Sequence, residues 1–245
     1  MTPLIHWASK ISSAGGEYDM TEFHWFDATN VMADYFANPT EVDLHTVLAQ
    51  PMPFEKTMIC ASVDNTKVII RVEEKAEKDS LFCIVAGLGQ DRNGTSKQFG
   101  IFGITKKDGF ANFTNLHEEL TSKKDIEHLS LVIAKLLDRL SKNTTQVYQP
   151  YIRNTFINQK RIKKGKPPSF EWRTVTIEPK VVVSMSHGGT HASPRLHDRR
   201  GHWRTMKKSG KRVWVRDCKV GDPSKGVVFH DYKFSRQSFK QGDSA

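Results

Sequence analysis

The sequence predicts an α+β protein: an antiparallel sheet covered by helices, followed by a basic, β-rich C-terminal module. Three observations carry this reading. From Thr57 to Ile104 the apolar residues recur with a period of two, and β-branched and aromatic residues dominate. From Ile126 to Leu140 the period is helical, with Ile126, Leu129, Val132, Ile133, Leu136, Leu137 and Leu140 on one stripe. Charge then divides the chain. Residues 1–150 hold 15 Lys and Arg against 20 Asp and Glu, whereas residues 151–245 hold 22 against 7, so the overall +10 combines −5 with +15.

The first 50 residues read as helical, with a break at Gly15-Gly16. Phe23, Phe26, Val31, Met32, Tyr35 and Phe36 recur at three- and four-residue spacing behind a cap at Thr21 or Asp27, and Asn38-Pro39 stops that helix. A second short helix is predicted over Glu41 to Ala49, ended by Pro51 and Pro53. Four strands follow at Thr57–Val63, Lys67–Glu73, Ser80–Leu88 and Lys97–Ile104. Their short connections favour an antiparallel meander. The helix near 121–140, capped by Thr121 or Ser122, covers one face of that sheet.

A module boundary is placed near Pro150, dividing a 1–150 region from a 151–245 region. Residues 151–168 read as a basic connector closed by Pro167-Pro168. Glu171 to Pro179 resumes strand alternation, which Val181 to Met185 extends, and Ser186 to Pro194 reads as a loop. Gly201–Met206 and Arg212–Lys219 form a hairpin around the turn Lys207–Lys211, and Gly226–Phe234 adds a last strand.

A chain of 245 residues with 38% hydrophobic side chains can bury its own core. Cys60, Cys83 and Cys218 are too few and too scattered for a disulfide framework or a CxxC metal site, which fits a reducing cytosol. No stretch approaches the roughly 20 apolar residues of a membrane span, and the N-terminus lacks a signal-peptide pattern. A soluble, non-exported protein is expected. No phosphate-binding glycine loop, nucleophile elbow or paired-carboxylate motif is present, and no cofactor is expected.

Two basic clusters with interleaved aromatic residues point to a polyanion-binding surface, because phosphate contacts draw on Lys and Arg while flat rings stack on bases. The first is Lys160, Arg161, Lys163, Lys164 and Lys166. The second comprises Arg195, Arg199, Arg200, His202, Trp203, Arg204, Lys207, Lys208, Lys211, Arg212, Trp214 and Arg216. His187, His191, His197 and His202 invite a metal reading, but the surrounding arginines oppose a divalent cation, and no metal is expected. His197 and His202 are instead the candidate acid and base of a metal-independent ribonuclease. In the acidic half, Phe23, Trp25, Phe26 and Tyr35 are the candidate contacts for a partner peptide.

The run Pro194-Arg195-Leu196-His197-Asp198-Arg199-Arg200-Gly201-His202-Trp203, followed by a basic turn and Val213-Trp214-Val215, resembles the C-terminal signature of a family of phage and prophage proteins. That family includes a type V-A anti-CRISPR, which prevents biogenesis of the type V Cas effector nuclease. The likeness continues more loosely in Pro51-Met52-Pro53-Phe54, in Met58 to Val63 and in the Arg161–Pro168 connector. It implies a phage-encoded anti-defence protein of the bacterial cytoplasm. Such a protein recognises an emerging N-terminal polypeptide during translation and causes loss of the message encoding it. Only Arg199, Arg200, Gly201, His202 and Trp203 carry over residue by residue. The spacing after Trp203 and the N-terminal helices differ from that pattern.

The expected function is therefore binding of RNA or the ribosome by the basic module, coupled to suppression of a host target. The acidic half would serve a nascent polypeptide. A metal-independent endoribonuclease and a DNA-binding phage accessory protein are the two alternatives.

Overall fold

In the computed structural model the described residues are 2–14, 22–39, 41–63, 66–77, 79–90, 93–117, 119, 121–142, 144–151, 155–179 and 194–236. Helix α1 (Pro3–Ala14) is followed by strand β1 (His24–Asp27), helix α2 (Thr29–Ala37) and the short helix α3 (Leu44–Leu48). The region from Phe23 to Asp27, predicted as helix, is thus extended. Its helical spacing reflects burial on both faces: Trp25 points into one apolar layer and Phe26 into the other. The Asp27 carboxylate accepts the Thr29 N–H at 3.1 Å at the start of α2, and Asp43 caps α3.

The predicted meander is present as β2 (Lys56–Val63), β3 (Thr66–Glu77), β4 (Ser80–Gln90) and β5 (Ser96–Lys107), each antiparallel to the next. A fifth strand, β6 (Phe110–Asn115), extends it through the turn at Asp108-Gly109, where both residues have positive φ. Helix α4 (Lys123–Ser141) starts at Ser122, whose hydroxyl accepts the Asp125 N–H while the Asp125 carboxylate accepts the Ser122 N–H. Its stripe of Leu129, Ile133, Leu136 and Leu137 is buried against the sheet. Each such side chain contributes about 1.5–3 kcal/mol on leaving water. The same face carries α2 and α3, while α1 covers Trp25, Met58 and Cys60 on the other.

The basic half contributes β7 (Thr144–Tyr151), helix α5 (Phe156–Lys163), β8 (Phe170–Pro179), β9 (Arg195–Arg199), β10 (His202–Thr205), β11 (Arg212–Val215), β12 (Cys218–Val220) and β13 (Asp222–Phe234). The boundary placed near Pro150 falls inside β7, and the sheet runs across it. β13 pairs in parallel with β8, β9 and β1, and β1 pairs in parallel with β2. The sheet is therefore mixed: a parallel centre drawn from both halves, flanked by the antiparallel meander and by β7. Among the described residues, β10 and β11 stand apart from it as a two-stranded hairpin. The connector predicted at 151–168 contains α5. Val181 to Met185 and most of the Ser186–Pro194 loop lie outside the described residues.

Lys106 is buried, and its ammonium donates to Glu74 at 2.5 Å and to the Gln50 carbonyl at 2.7 Å. Glu74 also accepts the Met52 N–H at 2.9 Å, which ties the Pro51–Pro53 segment to the meander. Removing one partner leaves a buried charge uncompensated. Lys106→Met is expected to cost about 3–5 kcal/mol, and Lys106→Met combined with Glu74→Leu to recover most of it, as read from urea unfolding.

Candidate nucleic-acid interface and histidine cleft

The site is built where two strands share one edge of β13. β8 pairs with residues 227–234 along one edge; on the other, β9 takes Asp222, Val227 and Val228, and β1 takes Asp231 to Lys233. His230 lies between Val228, the last residue paired with β9, and Asp231, the first paired with β1. Pairing of His197 with Val228 places His197, Arg199, His230 and Tyr232 on the sheet face that α4 covers. The last turn of α4 and the β10–β11 hairpin close a polar cleft of about 790 Å³, lined by Ser141, Lys142, His197, Arg199, Arg200, His202, Trp203, Arg212 and His230 among others.

Gly201 makes the corner between β9 and β10. It donates to the Pro53 carbonyl at 2.7 Å, and a Cβ there would lie 2.5 Å from Trp214 Cζ2. Trp214 pairs across the hairpin with Trp203, the rings 5.4 Å apart and edge to face. Arg212 lies 5.3 Å over the Trp203 ring and donates to the Ser141 carbonyl at 3.4 Å, setting a cation against the C-terminal end of α4. The hairpin carries Arg204, Lys207, Lys208, Lys211 and Arg212 exposed, and Arg216 follows it. Cross-strand alternation holds Trp203 and Trp214 against the protein while the turn stands in solvent.

The histidines have distinct environments. His197 Nδ1 donates to the Arg195 carbonyl at 2.9 Å. His202 lies between the Arg200 carbonyl at 3.3 Å from Nδ1 and the Arg199 guanidinium at 3.3 Å from Nε2. His230 packs edge to face on His197 at 5.7 Å. Burial first, then the neighbouring His197 and Arg173, brings its pKa down to about 4. His24, stacked 3.6 Å from Phe54, is likewise lowered to about 4 by burial and by Lys219. It is neutral near pH 7, and its 3.8 Å approach to Asp198 is then no ion pair.

Of the predicted nucleic-acid contacts, the structure gathers Arg199, Arg200, His202, Trp203 and Arg212 at the cleft, and Arg204, Lys207, Lys208 and Lys211 on the hairpin. Arg195 is a correction. It pairs with Glu171 at 2.8 Å and donates to the Pro168 and Val227 carbonyls at 2.9 and 3.1 Å, so it clamps the start of β9 to β8 and β13. Lys160, Lys163, Lys164 and Lys166 are exposed on α5 and the turn after it, and Arg161 is half-buried with its Nε on the Pro167 carbonyl at 2.9 Å. Asn158, fully buried, anchors that helix by accepting from the Ser169 N–H and hydroxyl at 2.8 and 2.9 Å.

The partner-peptide residues are a second correction. Phe23, Trp25 and Phe26 are 4, 0 and 0% exposed and belong to the core, and Tyr35 is half-buried under the Lys135 ammonium at 4.2 Å. Sequence reasoning passed over His230, Lys142 and Ser141. His230 carried a signal in its residue type, whereas α4 reaches the site only through packing. His187 and His191 lie outside the described residues, and among the described residues no three His, Cys, Asp or Glu side chains are placed to hold a metal ion. No helix among the described residues is long and apolar enough to cross a membrane.

Two neutral buried histidines make stability fall with acid. The unfolded chain takes up their protons as pH drops through about 6.5, the folded chain only near 4, so stability is whole above 6.5 and declines between those values, by up to roughly 3 kcal/mol per ring. The urea midpoint is expected to be lower at about pH 5 than at about pH 7.5, and His24→Phe, which keeps the stack on Phe54, to shrink the difference. Comparison of the chain with known protein families, with curated proteins and with solved structures finds no match.

Proposed function

We propose that the protein binds single-stranded RNA, free or on the ribosome, through the β10–β11 hairpin and the cleft at its base. In this reading it is a phage-encoded anti-defence protein that suppresses expression of a host target in the bacterial cytoplasm, with a nascent polypeptide as the feature that selects the target. The observation that carries the binding half is the grouping of five exposed cations on the hairpin beside a polar cleft walled by Trp203 and by Arg199, Arg200 and Arg212. Cations along the hairpin can follow a phosphate backbone, while the cleft has room for an unstacked nucleotide and favours a single strand over a duplex. Support for the anti-defence half comes from the resemblance of residues 194–203 to the phage family. The carried-over residues Arg199, Arg200, His202 and Trp203 line this cleft, and Gly201 makes the corner between β9 and β10. Burial of Phe23, Trp25 and Phe26 removes the aromatic groove expected in the acidic half, so this reading no longer assigns a surface to the polypeptide.

Lys208→Glu with Lys211→Glu changes exposed side chains and leaves the Trp203–Trp214 pair in place. Fluorescence anisotropy with a mixed-sequence RNA should show affinity falling with salt. The double variant should weaken binding at least about tenfold and flatten the log–log salt slope by about 0.7 for each phosphate it no longer neutralises. Equal affinity for duplex DNA would favour the DNA-binding alternative, and absence of RNA binding would overturn the proposal.

A further inference from the structure

His197 and His202 meet the cleft with different hydrogen bonds, and the difference separates their chemistry. Donation from His197 Nδ1 to the Arg195 carbonyl selects the tautomer whose Nε2 lone pair is left for an occupant of the cleft. His202 is held from both sides. Its Nδ1 faces a carbonyl, and its Nε2 faces a guanidinium that can only donate, so in the resting site Nε2 is an acceptor engaged with Arg199. His202 is thereby no base for substrate while Arg199 stays on it. A bound phosphodiester offers Arg199 a better acceptor, and departure of the guanidinium frees Nε2 to carry a proton.

We propose that the cleft is a metal-independent ribonuclease site, in which His197 is the general base and His202 the general acid. This rests on the reading that the cleft binds RNA. His197 Nε2 takes the proton of a ribose 2′-hydroxyl, and the 2′-oxygen attacks the adjacent phosphorus. The bond from phosphorus to the 2′-oxygen forms as the bond to the 5′-oxygen breaks. His202, protonated at Nε2 once Arg199 has turned to the phosphate, gives that proton to the leaving 5′-oxygen. The products are a 2′,3′-cyclic phosphate and a 5′-hydroxyl; His197 gives the proton it took to water, which balances the proton that His202 drew from water when Arg199 left it, and both rings return to their neutral starting state. Nothing is oxidised or reduced. Arg199 and Arg212 supply positive charge where the phosphorane gathers its negative charge. His230, edge to face against His197, is a positioning residue that fixes the plane of the base.

The test uses the full-length protein in EDTA with a mixed-sequence single-stranded RNA, with product ends mapped, and with an otherwise identical strand of 2′-deoxy sugars as a binding control. Cleavage leaving 2′,3′-cyclic ends is expected on RNA and none on the deoxy strand. His197→Ala and His202→Ala should each slow cleavage by about 100-fold or more, the ordinary share of a general acid or base, with affinity for the deoxy strand within a few-fold of the parent. Retained Trp203–Trp214 fluorescence shows the hairpin intact; if His197→Ala loses it, His197→Gln takes its place. Binding without cleavage, cleavage of the deoxy strand, or unchanged cleavage by the position-197 variant each overturns the ribonuclease assignment while leaving RNA binding standing. No binding to either strand overturns the binding reading itself and this step with it.

Discussion

The rest of the structure depends on β13 serving three parallel neighbours with only two edges. β8 occupies one edge throughout its pairing with residues 227–234, so β9 and β1 must divide the other. The register between β9 and β13 slips between Asp222 and Val227, and Gly226 there has a φ of 93° and lies 2.7 Å, at its would-be Cβ, from the Ser169 carbonyl. A side chain at that position would be strained and would press on β8. Past this shift β9 pairs with β13 only as far as Val228 and β1 pairs from Asp231, and His197, Arg199 and His230 line the cleft beside this change of partner. The residues proposed to act on RNA thus collect where β13 changes its pairing partner, beside the core and not within it.

The basic excess is sorted by this arrangement into two physical classes. Arg195 and Arg173 both meet Glu171, whose side chain is largely buried, and Arg195 also satisfies two backbone carbonyls. Arg195 thereby holds β9 to β8 and β13 while Arg173 pairs within β8, and burying Arg195 without Glu171 would cost several kcal/mol. The hairpin cations, by contrast, lie in solvent and add little to stability. Charge held in water at the turn and imidazoles held in the cleft are the two features on which the proposed RNA binding and cleavage rest. Lowering of the His230 pKa by its burial and its positive neighbours follows from the same crowding.

How much was legible in the residues varies by element for identifiable reasons. The meander and α4 were readable because each buries a single face, so a period of two or of three to four survives in the sequence; α4 even displays its capping box in Ser122 and Asp125. β1 was not readable, because a four-residue strand buried on both sides shows a continuous run, Phe23 to Phe26, that mimics a helical stripe. β9 was hidden for the opposite reason. Arg195, His197 and Arg199 are polar because they line a clamp and a cleft, which removes the apolar alternation that marks a strand.

Within the site, the sequence by itself determined the residue types, the hairpin and its turn, since Trp203, Trp214 and the lysines between them interact over short separations in the chain. It determined also that positive charge would concentrate beyond residue 150. Only the tertiary structure decided that His230 stands beside His197, that the end of α4 closes the cleft, and that Arg195 is a clamp and the Phe23–Phe26 rings are core. Those outcomes depend on β13 pairing with strands about 30 to 210 positions earlier in the chain. Pairing over such distances is selected by the burial of whole sheet faces, and no local pattern of residues encodes it.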